Sequence, residues 1–301
     1  MDLDDLWAIA ECYGFTVDEA EGHHVTTDAL PRLRELFQRH KVQSTLFVVG
    51  RDLEHPPFVQ QLKACLDEGH EVANHSNSHR LDFRNLTSDE LKNEIEQCDG
   101  LLQEKLQRKP LGFRAPGYGH SDSLLEALNA RAYLYDSSLM PGPYGAVFRW
   151  LDGRHQKRVR GQSGSKTQYS LLKDAARPLA PHRRGGQNLV EIPAATSPLL
   201  RLPFQAGVCM RLGRRYFDAQ LNAFAGRSRL PFVFLLHAAD IADFSTVKHP
   251  FFQQAGYFSM PVQSKIELLD YFLTRIREER GIVTTESWLQ SGEAETFIPG
   301  S

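Results

Sequence analysis

A chain of 301 residues with 41% hydrophobic and 24% charged residues has the composition of an ordinary globular protein, which excludes the disordered, fibrous and membrane-embedded classes. A net charge of -2 gives no overall attraction to nucleic acid, so none is expected as a partner. Four scattered cysteines, Cys12, Cys65, Cys98 and Cys209, contain no C-x-x-C pair, so reduced, buried thiols are expected rather than disulfides or a cysteine-built zinc site.

No apolar run approaches the roughly 20 residues that span a bilayer, and no basic segment followed by an apolar stretch opens the chain, so a cytoplasmic location is expected. Met1 stands almost directly before Asp2, Asp4 and Asp5, where a first strand normally has several apolar residues ahead of it. That leaves open a start further upstream.

Residues 25–40 read as a helix, with Thr26 or Thr27 able to cap it and Leu30, Leu33, Leu36 and Phe37 at helical spacing. The apolar run Ser44 to Val49, ended by Gly50, reads as a strand covered on both faces. Pro56-Pro57 opens a second helix that buries Phe58, Leu62, Cys65 and Leu66 and stops at Gly69, and Glu71 to Asn74 forms the next strand. Thr87 and Glu90 make the capping box of a third helix reaching about residue 106. The alternation continues through 110–136, 230–238 and 264–285, which predicts an α/β fold with a largely parallel sheet, closed or nearly closed into a barrel. Between about 141 and 188 the pattern gives way to Gly, Pro, Ser and basic residues, as in an inserted loop.

Four elements carry candidate chemistry. His75-Ser76-Asn77-Ser78-His79 directly follows a predicted strand, where barrel folds place catalytic groups, and a helical turn would aim both imidazoles at one metal ion. Asp4-Asp5 ends what reads as the first strand and offers the third, carboxylate ligand of an open site; a helix-starting acidic cluster is the plain alternative. Gly112 to Gly119 contains the turn Arg114-Ala115-Pro116-Gly117, able to expose backbone N–H groups. Phe232 to His237 is an apolar strand delivering one histidine at its end.

Together and in this order, these elements resemble the motifs of the polysaccharide deacetylase (NodB-homology) family: an aspartate pair, H-S/T-x-x-H, R-x-P and L-x-H. The resemblance covers roughly residues 1–140 and 189–290. It implies one domain over 1–301, a distorted, partial (β/α) barrel with the insertion at about 141–188, acting as a metal-dependent carbohydrate deacetylase. Residue by residue it implies Asp4 as general base, Asp5, His75 and His79 as metal ligands, Gly117 as an oxyanion-binding backbone N–H, His237 as general acid and Arg114 as the partner orienting Asp4. The implied ion is divalent, zinc first, with cobalt, nickel, iron or manganese also suited to the donors. Two departures stand out: Leu6 replaces the glycine that often follows the aspartates, and no D-x-x-D-W element is present. Asp136 is its nearest equivalent and would support His237, with a turn-forming aspartate as the alternative.

Between Arg149 and Arg184 ten basic residues face only Asp152 and Asp174, a balance suited to lipid phosphate, a polyanionic glycan or an anionic membrane surface, or to a solvated loop. With no leader segment read at the start of the chain, the basic run favours a phosphate-bearing, lipid-linked sugar met at the cytoplasmic face of the membrane, and the family resemblance implies an N-acylated amino sugar, acetyl or formyl, linked to polyprenyl phosphate. O-acetyl ester cleavage, an extracellular polysaccharide or peptidoglycan substrate, and a catalytically inactive glycan- or lipid-binding protein are the alternatives. Apolar, positively flanked residues 199–216 read equally as a membrane-touching surface or as core.

Overall fold

Strands and helices alternate through the first half of the chain as their apolar spacing requires. The computed structural model describes residues 1–145, 172–184, 188–225, 230–249, 251–252 and 258–298. In chain order its elements are α1 (Leu6–Cys12), α2 (Glu19–Gly22), α3 (His24–His40), β1 (Thr45–Val48), α4 (Pro56–Asp67), β2 (Glu71–Asn74) and α5 (Ser88–Leu106). Then come β3 (Gly112–Phe113), α6 (Asp122–Ala130), β4 (Tyr135–Asp136), β5 (His182–Arg183), β6 (Val190–Glu191), α7 (Ala206–Leu212) and α8 (Arg214–Ala225). The last three are α9 (Val262–Glu279), α10 (Thr285–Gln290) and α11 (Glu293–Phe297).

Local sequence accounts for much of this. Thr87 and Glu90 form the expected reciprocal cap of α5, proline opens α4, and every residue of β1 and β2 is buried, as in a sheet covered on both faces. The sheet runs β1-β2-β3-β4-β6-β5, parallel except for the antiparallel β5–β6 pair. Beyond β6 the ring continues through single bridges: Ala194 with Val233, Gln205 with Leu235, His237 with Asp2, and Asp2 with Phe47. The predicted strand at 230–238 is thus an extended segment held by isolated bridges. Backbone bonds from Asp2 N to the Leu236 carbonyl and from Leu3 N to the Phe47 carbonyl bring the first residues and His237 to the same end of the sheet. The result is a distorted barrel.

The largest core cluster joins α3, α4 and β1 to an aromatic stack of Phe204, Phe217, Phe234 and Phe272. Segment 199–216 divides between its two readings: Phe204, Cys209 and Met210 are core, whereas Leu199, Leu200 and Leu212 are exposed. Among the described residues no disulfide is formed, and Cys65, Cys98 and Cys209 are buried. No helix among the described residues is long and apolar enough to cross a membrane. Most of the predicted insertion, including Arg149, Arg154, Lys157, Arg158, Arg160 and Lys166, lies outside the described residues.

Candidate active site

The extended N-terminal segment decides which carboxylates meet the histidines. Side chains alternate along an extended chain, so Asp2 and Asp4 share one side while Leu3 enters the core on the other, fully buried. Asp4 Oδ1 lies 3.3 Å from His75 Nε2 and 3.4 Å from His79 Nε2, and these three residues form one cluster of possible ligands. Asp5 does not join them. Its carboxylate caps α1 through Leu6 N–H at 2.8 Å and accepts Val25 N–H at 2.9 Å and Thr26 N–H at 3.2 Å. The expected assignment therefore shifts: the carboxylate beside the histidines is Asp4, not Asp5, and Asp5 is the helix-starting aspartate of the plain reading.

Arg114 orients Asp2, not Asp4. Its guanidinium pairs with Asp2 Oδ1, donates to the Ser137 carbonyl at 3.1 Å and Ser137 Oγ at 2.8 Å, and lies 3.9 Å above the Phe47 ring. His237 Nε2 stands 3.7 Å from Asp2 Oδ2. Burial alone would raise the Asp2 carboxyl, but Arg114, then His75 and His237, hold it below the ordinary carboxylate value. The candidate base in this geometry is Asp2.

The histidine pair converges through a loop, not a helical turn. Ser76 and His79 both have positive φ, and the turn is fixed by bonds from Ser76 N–H to Asn74 Oδ1 and from His79 N–H to Ser76 Oγ. Glu94 on α5 accepts from Asn77 N–H, Ser78 N–H and the Ser78 hydroxyl. His75 Nδ1 lies 2.6 Å from the Arg114 carbonyl. A carbonyl only accepts, so Nδ1 carries a proton and Nε2 is the nitrogen turned toward Asp4, available to a metal ion once it is unprotonated.

These residues fit a metal ion. Ligand atoms about 2.0–2.1 Å from a tetrahedral zinc ion lie about 3.3–3.4 Å apart, and the two distances to Asp4 Oδ1 have that value. Asp4 Oδ1 is also buried and has no hydrogen-bond partner.

Gly117, at φ 57°, sits in the tight turn Pro116–Tyr118 and lines the same cavity as Asp2, Asp4, His75, His79, Arg114 and His237. That cavity, about 290 Å³, is also walled by Tyr118, Gln205, Arg211 and Phe258. Asp136 does not reach His237. It accepts from the Ser138 hydroxyl, whose oxygen accepts Ala115 N–H at 2.8 Å, so it steadies the turn after Arg114. Besides Asp2 on its Nε2 side, the carboxylate beside His237 is Asp240, which accepts His237 N–H at 2.9 Å and lies 4.0 Å from His237 Nδ1. Sequence reasoning missed Asp2 and Asp240; the D-x-D alternation and the H-x-x-D spacing are the signals that carry them.

Fold and site together define a distorted (β/α) barrel with a metal-binding type of Asp-His-His cluster at the ends of its strands. Residues 10–135 match the sequence profile described as polysaccharide deacetylase, and over that stretch the chain is similar to that family. The match begins after the three aspartates, so their assignment rests on geometry. The chain is 33% identical over 167 residues to a peptidoglycan deacetylase of Helicobacter pylori, covering 55% of this chain and 52% of that protein. It is 32% identical over 104 residues to a peptidoglycan-N-acetylglucosamine deacetylase of Bacillus cereus, covering 34% of this chain and 46% of that protein. It thus spans about half the length of these relatives. A crystal structure from Mycobacterium smegmatis, provisionally named a polysaccharide deacetylase, shares the fold with a TM-score of 0.58 at 16% identity, over 92% of this chain and 81% of that one.

Proposed function

We propose that the chain is a metal-dependent hydrolase that removes an N-acyl group, acetyl first, from an amino sugar. The observation that carries this reading is the meeting of Asp4, His75 and His79 with the Arg114–Asp2 pair and His237 around one cavity. A divalent ion held by Asp4, His75 and His79 would supply Lewis-acid polarisation and a lowered water pKa. Asp2, kept ionised by Arg114, takes the proton of the attacking water. Gly117, whose left-handed backbone leaves room for close approach, faces the developing oxyanion. His237 protonates the leaving nitrogen.

For the substrate, the names of the relatives support acetylated amino sugars of peptidoglycan. The polyprenyl-phosphate-linked sugar, with reaction at the cytoplasmic face of the membrane, is supported only by the basic run between Arg149 and Arg184. Protein stripped of metal and reloaded with zinc or cobalt should release acetate from N-acetylglucosamine oligomers or peptidoglycan, and His75→Ala should not. Release confined to a lipid-linked N-acyl hexosamine would favour the lipid reading. No release from either substrate by metal-loaded protein would sink the hydrolase reading and leave a glycan-binding protein.

A further inference from the structure

A second cluster lies behind the first, on the other side of the N-terminal segment. Asp5 at the start of α1, His23 at the start of α3 and Asp52 in the 3-10 turn Gly50–Glu54 bring ligand atoms within 4.8 Å of one another. We propose that these three residues bind a second divalent metal ion of the zinc type. The inference stands apart from the proposed reaction.

Spacing is the first argument. His23 Nδ1 lies 3.4 Å from Asp5 Oδ2 and 3.5 Å from Asp52 Oδ1. A charged histidine–carboxylate hydrogen bond is about 2.7–2.9 Å long, roughly half an ångström shorter, whereas neighbouring ligands on a tetrahedral ion stand about 3.3–3.4 Å apart. The candidate active site shows the same separations, 3.3 and 3.4 Å. His23 Nδ1 makes a hydrogen bond to neither carboxylate.

Burial and charge are the second. Asp5 and Asp52 are both fully buried, and among the described residues no lysine or arginine comes within ion-pair distance of either. Among the described residues His23 is the cationic group that faces both enclosed carboxylates, which raise its pKa to about 9; a divalent ion held by the same three side chains would displace that single proton and neutralise both carboxylates. One oxygen of Asp52, Oδ2, is buried without a partner, while its other oxygen accepts Trp7 Nε1–H at 2.6 Å, the kind of outer contact that orients a ligand. The ring of His55 stacks on His23 at 4.1 Å and covers the site, and His23 retains 25% side-chain exposure as a route to solvent. The ion would tie α1, α3 and the turn after β1 together beside the backbone of Asp4.

The test is metal content. Wild-type protein stripped, saturated with zinc and desalted should hold two equivalents per chain by elemental analysis, and His75→Ala, Asp52→Asn and His23→Ala should each hold one. In the His75→Ala background zinc should still raise the melting temperature, and it should not do so once Asp52→Asn is added. One equivalent or fewer in the wild type overturns the proposal, because a protonated His23 then bridges the carboxylates. So does a second equivalent that survives both Asp52→Asn and His23→Ala. Should either variant fail to fold, anomalous scattering from zinc-loaded wild-type crystals gives the same answer: a peak among Asp5, His23 and Asp52 supports the site, and its absence overturns it.

Discussion

Arg114 and Asp2 form an ion pair in which the side chains keep only 2% and 6% of their surface exposed. A buried pair adds little by existing, because desolvation offsets attraction, but removing one partner strands the other. Arg114→Ala should therefore lower the unfolding free energy by about 3–5 kcal/mol in urea titrations. The double variant Arg114→Ala/Asp2→Asn should recover part of that loss. Equal losses in single and double variants would assign the cost to the Ser137 contacts instead.

Asp4 and Asp5 are adjacent in sequence and opposite in role. In metal-free protein Asp4→Ala should cost less stability than Asp5→Ala, because Asp4 Oδ1 accepts no hydrogen bond and loses only its charge contacts with His75 and His79. Asp5→Ala removes a helix cap and the acceptor for Val25 and Thr26 N–H, and should cost at least about 2 kcal/mol. Catalysis should respond the other way, with Asp4→Ala inactive at saturating zinc. If Asp5→Ala were instead stable in the metal-free form and Asp4→Ala unfolded, the two positions would have to be exchanged.

Much of this was legible before any coordinates, for physical reasons that differ by element. The helix starting at Ser88 announces itself because its cap is local, four residues long, and the strand at Thr45–Val48 because both its faces are apolar. His75, His79, Arg114 and His237 are identifiable as a set because each stands at the end of an element of readable period. The aspartates are harder to read because adjacency and alternation point to different pairs: Asp2 and Asp4 share a face, whereas Asp5 caps the helix starting at Leu6. The left-handed residues Ser76 and His79 carry no sequence signal, since neither is glycine. Barrel closure through single bridges leaves no side-chain period to read.

His237 and Asp240 should separate by degree. As general acid, His237→Ala should lower kcat by about 10²–10⁴-fold. Asp240 touches His237 through the backbone N–H and faces its Nδ1 at 4.0 Å, so it positions the ring without meeting substrate. Asp240→Asn should lower kcat by about 10–100-fold with KM nearly unchanged, the size expected of an orienting partner. A change confined to KM would place Asp240 in substrate binding.

Lys265 supplies the pH dependence. It is fully buried on α9, its ammonium donates to the Ala242 carbonyl at 2.8 Å, and Asp240 is the largest opposing influence on its charge. Burial outweighs that attraction and brings the ammonium from 10.5 down to about 8. Below about 8 folded and unfolded chains are both protonated, and the cost of enclosing the charge is fully present. Between about 8 and 10.5 the unfolded chain binds a proton that the folded chain does not, so stability rises with pH across that window. Relative to Lys265→Met, which has no group to titrate, wild-type protein should gain up to about 3 kcal/mol from pH 7 to pH 10.5, measured by urea unfolding at each pH. A constant difference between the two proteins would mean that the buried ammonium titrates like a free lysine, and that Asp240 and the Ala242 carbonyl together offset its burial in full.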